Sequence, residues 1–314
     1  MAEITASLVK ELRGQTGAGM MDCKRALIEV DGEIEKAVDW LRQKGLSTAA
    51  KKASRVASEG LIALSVEDAV GAIVEVNAET DFVARNEEFQ NFVGEVASLA
   101  VKVKGDIEQL KTTKIHDSEL NVESELTEMV GRIGENMVLR RSDSISVKRG
   151  VIGTYIHNAV RNDLGKIGVL VGLESDRDEN EIHEALLGLA RKLAMHICAA
   201  RPEAVDVESL DSTLVDRERS VLIEQAKESG KPIEIIDKMV DGRLRKYYEE
   251  VVLMEQIFVV DGENKVSAVI DSVADEINAK IKVNGFLRFE LGEGIERIKD
   301  DFAEEVAAQA GHAQ

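Results

Sequence analysis

The segment Val76–Val93, VNAETDFVARNEEFQNFV, joins an apolar run with the length of a strand to an amphipathic helix. Before it, GLIALSV and GAIVEVNAE flank the polar turn EDAVG, which is the pattern of a β-hairpin. After it, apolar residues recur at helical spacing from Phe89 to Val103, and Asn86 is a suitable N-cap because its side chain can accept from free N–H groups. The segment therefore predicts a β-β-α unit.

The same order of elements occurs a second time along the chain. GVIGTYIHNAV and GKIGVLVGLESD predict another hairpin, and a helical stripe follows from Ile182 to Ile197. This hairpin ends in Glu174–Asp176 (ESD), about 95 residues after Glu79–Asp81 (ETD). The match predicts a duplicated β-β-α core with antiparallel sheets. We expect EVVLMEQIFVV and GFLRFELG to be strands that complete the second sheet.

Helical patterns dominate the remainder of the chain. Three short helices are predicted at the N-terminus, with Gly45 ending the third and Ser47–Ser58 forming a linker for which partial helical structure stays open. Val122–Ile133 is predicted to be a helix followed by a strand or an extended link. Two charged helices that meet at Ser229–Pro232 predict a protruding antiparallel coiled-coil hairpin, and EGIERIKDDFAEEVAAQAG predicts a C-terminal helix. The narrow apolar stripes of the hairpin are Leu214, Val221 and Leu222 on one helix and Ile235, Ile236, Met239, Val240 and Leu244 on the other. The fold class is therefore α+β.

These patterns divide the chain into units with the following expected bounds. They are 1–54 for the three-helix module and linker, 55–141 for the first half of the core, 142–205 for the first segment of its second half, 206–250 for the coiled-coil hairpin, 251–293 for the second segment of that half, and 294–314 for the C-terminal helix.

The composition excludes several classes of function. Lys and Arg number 40 against 59 Asp and Glu, a net charge of -19, so a nucleic-acid backbone or an anionic membrane would be repelled. Two cysteines without metal-ligand spacing predict neither a disulfide framework nor a zinc site, which favours the reducing cytoplasm. The N-terminus does not resemble a signal peptide, and no apolar run approaches the roughly 18 residues of a membrane span.

Motifs for chemistry are missing from the sequence. It has no P-loop, nucleophile elbow, HExxH or GxGxxG pattern, and GQTGAG follows a helix, which favours a simple connection between helices. The five histidines are scattered; we expect His183 to lie on a solvated helix face and His196 to be a satisfied, partly buried imidazole. The sequence predicts no enzyme, no cofactor and no metal site.

Phe82 stands among polar and acidic residues, and two interpretations are open. Either the helix begins near Thr80 and Phe82 packs in its first turn, or the helix begins at Asn86. In the second case Thr80–Val83 forms an exposed tip between two structured elements. Exposed aromatic residues on rigid tips are typical of binding hot spots.

Several long segments resemble the elongation factor Ts family, and they occur in that family's order along the whole chain. They are TGAGMMDCKRAL (Thr16–Leu27), VNAETDFVARNEEF (Val76–Phe89), RIGENMVLRR (Arg132–Arg141), SGKPIEIIDKMVDGR (Ser229–Arg243) and FLRFELGEGIE (Phe286–Glu296). The resemblance implies a guanine-nucleotide exchange factor for the GTPase elongation factor Tu. It also implies that the first helices form a ubiquitin-associated-like module, followed by a two-part core with an inserted hairpin and a final helix.

The resemblance also implies site residues. Thr80, Asp81, Phe82 and Val83 match the segment that wedges against the GTPase near its magnesium ion; Asp81 would act by its charge or by displacing backbone, and both remain open.

Other residues match regions that the family uses to contact its partner. Met20, Met21 and Lys24 match the contact region of the helical module, although one Met could equally be core. His157 matches a contact histidine, but the connection HNAVRNDLGKIGVLV is longer and lacks the usual Gly after that His.

Two other classes of function stay open on the sequence alone. One is a structural or chaperone-like scaffold that acts through the helical hairpin, and the other is an enzyme with a diffuse carboxylate site. The apolar stripes of the hairpin also leave open a homodimer, or a 2:2 complex with the GTPase.

Overall fold

The structure is a computed structural model, and it describes residues 4–16, 18–116, 118–177, 179–227 and 233–296. The helices are α1 (Ala6–Thr16), α2 (Met20–Glu29), α3 (Ile34–Lys52), α4 (Asp81–Ala84), α5 (Glu87–Lys102), α6 (Ile107–Thr112), α7 (Val122–Ile133), α8 (Glu179–Ala200), α9 (Ser212–Lys227), α10 (Ile233–Val251) and α11 (Val266–Glu276), and Leu253–Glu255 forms a 3-10 turn. The strands are β1 (Glu59–Glu67), β2 (Val70–Ala78), β3 (Met137–Ser146), β4 (Gly150–His157), β5 (Leu164–Gly165), β6 (Ile167–Ser175) and β7 (Ile281–Glu290).

Two antiparallel sheets form the core, with strand orders β3-β2-β1-β5 and β4-β6-β7. Each strand alternates its side chains between the two faces of its sheet. Ile62, Ile73 and Leu170 belong to the layer between the sheets, whereas the outer faces pack against α5 and α8. The predicted α+β class and the duplicated β-β-α core are confirmed. The bounds of the sequence units stay a prediction.

The N-terminal module packs α1, α2 and α3 around Leu12, Cys23 and Leu27. The prediction that Gly45 ends the third helix is wrong, because α3 continues to Lys52 and takes up half of the expected linker. Gly45 lies where α3 crosses α7: a Cβ added to Gly131 would lie 2.9 Å from the Gly45 Cα. The glycine therefore permits close helix packing instead of ending the helix.

The strand predicted from EVVLMEQIFVV is also wrong. The helix α10 continues to Val251, and the 3-10 turn Leu253–Glu255 follows it. Leu253 and Phe258 are buried in the core beneath α8, so their apolar character reflects packing of an irregular segment. The predicted strand at GFLRFELG is confirmed as part of β7, which completes the second sheet.

The helices α9 and α10 pack on each other as the expected hairpin. Their shared core consists of Leu222, Ala226, Ile236, Val240 and Leu244. Three other stripe residues are exposed instead, namely Leu214, Val221 and Ile235. The predicted hairpin turn at Ser229–Pro232 and residues 297–314 of the predicted C-terminal helix lie outside the described residues.

Candidate partner-binding site

Phe82 lies on α4, a single helical turn between β2 and α5, and its side chain is 74% exposed. The next two residues, Val83 and Ala84, are buried and anchor the turn in the core under α5. The interpretation that Phe82 packs inside is therefore wrong. Val83 does not belong to the exposed tip, because its side chain points into the core.

The boundary after the turn is set by a helix cap, as the sequence predicted. The Asn86 side chain accepts from the backbone N–H of Glu88 at 2.8 Å and of Phe89 at 3.4 Å, so α5 begins at Glu87. The Gln90 amide donates to the Ala84 carbonyl at 2.9 Å. These bonds separate α4 from α5 and keep Phe82 outside the helix that covers the sheet.

Two carboxylates hold the base of the turn. Glu135 accepts from the Thr80 backbone N–H at 3.0 Å and from the Thr80 hydroxyl at 2.8 Å, using a different oxygen for each. In the other direction, Glu79 accepts from the Asn136 backbone N–H at 2.5 Å. We call Glu79, Thr80, Glu135 and Asn136 the carboxylate clamp, because each carboxylate binds the backbone beside the other one.

The clamp is also tied to the N-terminal module. Lys52, the last residue of α3, donates its Nζ to the Gly134 carbonyl, and the Asn136 amide donates to the Arg55 carbonyl at 2.8 Å. Gly134 ends α7 with a φ of 86°, a left-handed conformation that glycine adopts without strain. The turn after α7 therefore joins the module to the base of the Phe82 turn.

Arg132 fixes α7 against the helix that follows Phe82. Its guanidinium binds Glu88 on α5 at 2.6 Å and Glu125 on α7 at 2.9 Å. Burial alone would lower the pKa of Arg132, but its hydrogen bonds to Glu125 and Glu88 raise it above the ordinary value. This cation therefore stays charged between the two helices.

Asp81 is exposed beside the ring but has a partner. Its carboxylate lies 2.8 Å from the Arg85 guanidinium, one turn along the chain. Because both side chains are exposed, this ion pair is weak and can open when another cation approaches.

The N-terminal module presents a second exposed apolar surface on α2. Met20 and Met21 are 55% and 68% exposed, and Lys24 and Ile28 are exposed on the same helix. The alternative that one of the two Met residues is core is wrong, because Cys23, Ala26 and Leu27 supply the buried face of α2. Flexible Met side chains on a surface suit an interface that must adapt.

His157 is exposed at the end of β4, where its Nδ1 lies 3.2 Å from the Tyr155 hydroxyl. The longer connection after it has a structural task. Its residues Leu164 and Gly165 form β5, which pairs with β1 of the first sheet, and Arg161 donates to the Asn91 side chain on α5 at 2.6 Å. The connection therefore holds the His157 hairpin against the helix that follows Phe82.

No group of three or more His, Cys, Asp or Glu side chains in the described part of the chain could hold a metal ion. His183 is exposed and the His196 ring is hydrogen-bonded, as predicted, with its nitrogens 2.9 Å from Gln256 Oε1 and 3.2 Å from the Val259 N–H; His196 is fully buried, however, and not partly buried. Among the same residues, no helix has the length and apolar character needed to cross a bilayer.

The family model described as "Elongation factor TS" matches residues 79–293, which include the clamp and both hairpins of the second half. The chain belongs to the elongation factor Ts family. Its function is therefore in translation elongation. The proteins named elongation factor Ts from Rhodospirillum centenum and Rhodospirillum rubrum are 55% and 57% identical over 311 and 310 residues, which cover 99% and 98% of this chain and 100% and 99% of theirs. The one from Rickettsia bellii is 52% identical over 305 residues, or 97% of each chain.

Membership of the elongation factor Ts family fits the site described above. Sequence reasoning identified Phe82 and its neighbours but missed Glu79, Glu135 and Asn136. The matched segments contain all three, yet no local pattern shows that Thr80 and Glu135 touch across 55 residues of chain.

Proposed function

We propose that this protein is a guanine-nucleotide exchange factor that binds elongation factor Tu with GDP bound and promotes GDP release, so that GTP can bind. It uses no covalent chemistry and works in the cytoplasm on a protein partner, since a net charge of -19 disfavours nucleic acid. The observation that carries the proposal is Phe82, a 74% exposed aromatic ring on a clamped turn in a member of the elongation factor Ts family.

In this proposal the exchange factor and the nucleotide oppose each other's binding to one GTPase. Coupling between bound factor and bound nucleotide is reciprocal, so a factor that weakens GDP binding is itself weakened when nucleotide returns. Burying the Phe82 ring in the partner would contribute about 1.5 to 3 kcal/mol, or roughly tenfold to a hundredfold in an equilibrium. That is too little alone, so a wider interface must support the ring.

The residues around the ring take distinct roles in this proposal. Phe82 and Asp81 enter the magnesium and phosphate site of the partner, Thr80 holds the turn through Glu135, and Val83 supports the ring from below because it is buried. Met20, Met21, Lys24 and His157 supply further contact with the partner.

The test is stopped-flow release of a fluorescent GDP analogue from elongation factor Tu. We expect Phe82→Ala to slow catalysed release about tenfold or more and Asp81→Ala to slow it less, with folding intact in both. Val66→Ala is a matched control, because Val66 is an exposed apolar residue at the opposite end of β1. Unchanged release with both variants of the turn would exclude the wedge.

A second candidate is a scaffold that acts through the helical hairpin, and it is favoured by the exposed residues Leu214, Val221 and Ile235. The same surface would support a homodimer or a 2:2 complex. Light scattering with and without the GTPase measures the assembly directly. If the protein is an exchange factor, removal of residues 210–251 should leave part of the exchange activity. If it is a scaffold that acts through the hairpin, the same removal should abolish its activity.

A further inference from the structure

The Phe82 turn is too short to hold its own shape. It has four helical residues, far fewer than a helix needs to be stable alone in water, and Thr80 makes no cap bond to its own helix. The Thr80 hydroxyl and N–H instead donate to the Glu135 carboxylate, which lies beyond the end of α7. The direction of the ring therefore depends on a residue distant in sequence.

Among the described residues, the two carboxylates of the clamp have few partners besides the residue next to the other carboxylate. Glu79 binds the Asn136 N–H and, at 3.3 Å, the Arg55 guanidinium; Glu135 binds Thr80 alone among the described residues. Hydrogen bonds to a charged acceptor are short and directional, so a pair of them fixes an angle as well as a distance. A neutral amide in place of Glu135 would keep one acceptor and turn a donor toward Thr80.

We propose that Glu135, supported by Glu79, is a positioning residue for nucleotide exchange. It fixes the orientation of the Phe82 ring and keeps the turn from moving back when the ring enters the partner. This inference rests on the proposed function. Because Lys52 and Arg55 bind the same turn after α7, the clamp also fixes the ring relative to the Met20 and Met21 surface. Contact at that surface then presents the ring at a high effective concentration.

A positioning role differs from a plain structural role in what it changes. Docking depends mainly on the wider interface, whereas nucleotide release depends on the ring. Loss of the clamp should therefore lower the release rate at saturating factor while the half-saturating concentration of factor stays the same. Loss of the clamp should also have no effect on the release rate of a variant that lacks the ring.

The experiment measures GDP release from elongation factor Tu over a range of factor concentrations for Glu135→Gln, Phe82→Ala and the double variant. We expect Glu135→Gln to lower the maximal rate by about tenfold, the scale of a charged hydrogen bond, with an unchanged half-saturating concentration. The double variant should equal Phe82→Ala. The matched control is Glu119→Gln, since the Glu119 side chain is 96% exposed and pairs with the exposed Lys114.

A second pair of variants keeps the test valid if Glu135→Gln folds poorly. Thr80→Val removes the hydroxyl donor but keeps the backbone N–H, whereas Thr80→Ser keeps both. We expect Thr80→Val to slow release and Thr80→Ser to restore most of the rate.

Two results with a slow Phe82→Ala variant, and a third with a normal one, overturn the positioning role. One is a normal maximal rate for Glu135→Gln and Thr80→Val while Phe82→Ala is slow, which leaves the proposed function intact. The other is an equal loss from Glu135→Gln with and without the ring. If Phe82→Ala catalyses GDP release from elongation factor Tu at the wild-type rate, the positioning role fails because the ring does not drive release. The wedge of the proposed function is excluded as well only if Asp81→Ala also acts at the wild-type rate.

Discussion

The two halves of the core use the same turn for opposite purposes. After β2 the chain reads Glu79–Asp81, and at the end of β6 it reads Glu174–Asp176; the carboxylates of Glu79 and Glu174 each accept a backbone N–H from a neighbouring segment. At the next position the first half has Phe82, which faces solvent. The second half has Arg177, whose guanidinium donates to the Ile277 carbonyl at 2.9 Å and pairs with Glu181 at 3.0 Å.

The same kind of turn is therefore an exposed candidate binding tip in the first half of the core and an internal connection between segments in the second half. In the second half, Asp176 accepts from the Lys280 N–H at 2.8 Å, which ties the turn to the start of β7. In the first half, Asp81 binds only the exposed Arg85 among the described residues. Asp176 and Arg177 of the second turn bind groups within the molecule, whereas Phe82 of the first turn stays exposed and Asp81 makes a weak surface ion pair.

The middle of the same two strands differs as well. Glu75 on β2 faces the layer between the sheets, and the equivalent position on β6 is Leu170. Glu75 is fully buried and binds Arg140, Arg141 and the Gly292 N–H at 2.5 to 3.1 Å. Through these bonds the charge attaches the end of β7 to the first sheet.

The largest effect is expected from making the first half like the second with Glu75→Leu. Two guanidinium groups, the Gly292 N–H and the Asn77 amide would lose an acceptor, which should reduce the free energy of unfolding by about 3 kcal/mol. This lies at the low end for a buried pair, because Arg140 and Arg141 stay 27% and 29% exposed and can reach water. Urea denaturation at pH 7 measures it, and a loss below about 0.5 kcal/mol would mean that a leucine core suffices in both halves.

Low pH should reduce the difference in stability between wild type and Glu75→Leu. Burial alone would raise the pKa of Glu75, but the Gly292 N–H and Arg141 outweigh it and hold the pKa below the usual value of 4.5. The unfolded chain then binds the proton first as pH falls, so the contribution is complete above pH 4.5 and is lost as pH falls through the lowered folded value. Wild type and Glu75→Leu should therefore approach each other in stability below pH 4.5.

The next largest effect is expected on exchange activity, from Phe82→Arg. This substitution places in the first turn the residue type that the second turn has at Arg177. We expect catalysed GDP release to fall roughly tenfold to a hundredfold, because a ring that would be buried in the partner is lost. Stability should not change, since the ring contributes little to the core at 74% exposure. A rate close to wild type would show that the turn acts through its backbone or Asp81 alone.

Local patterns predicted the parts of this comparison that depend on neighbours in sequence. The sequence placed α7 at Val122–Ile133 and the α5 cap at Asn86 because periodicity and capping are local. The clamp could not be predicted in this way, since it joins residues in separate elements. The apolar run Glu250–Val260 predicts a strand, but in the structure Leu253 and Phe258 are buried in an irregular segment while Ile257, Val259 and Val260 are exposed, and no local pattern shows this division.

A smaller effect is expected from His196, a buried ionisable group of the second half. Burial lowers the pKa of His196 from 6.5, although its bond to Gln256 opposes the shift. Just below pH 6.5 the imidazole is protonated in the unfolded chain but stays neutral in the folded protein. The free energy of unfolding therefore decreases as pH is lowered, by less than about 1.4 kcal/mol per pH unit. His196→Gln should remove this slope just below pH 6.5 and keep the acid limb that Glu75 produces. Thermal denaturation across this range measures it, and an unchanged slope would assign it to other groups.

The smallest effect is expected from Arg177→Phe, which copies the ring into the second turn. Exchange should stay unchanged, and combining Arg177→Phe with Phe82→Ala should not restore release, because no carboxylate among the described residues accepts from Ser175 as Glu135 accepts from Thr80. The cost in stability should stay near 1 kcal/mol, since the lost pair with Glu181 is exposed. Restored release in the double variant would mean that any exposed ring at the end of a core strand can act, and that the clamp and its position in the first half are irrelevant.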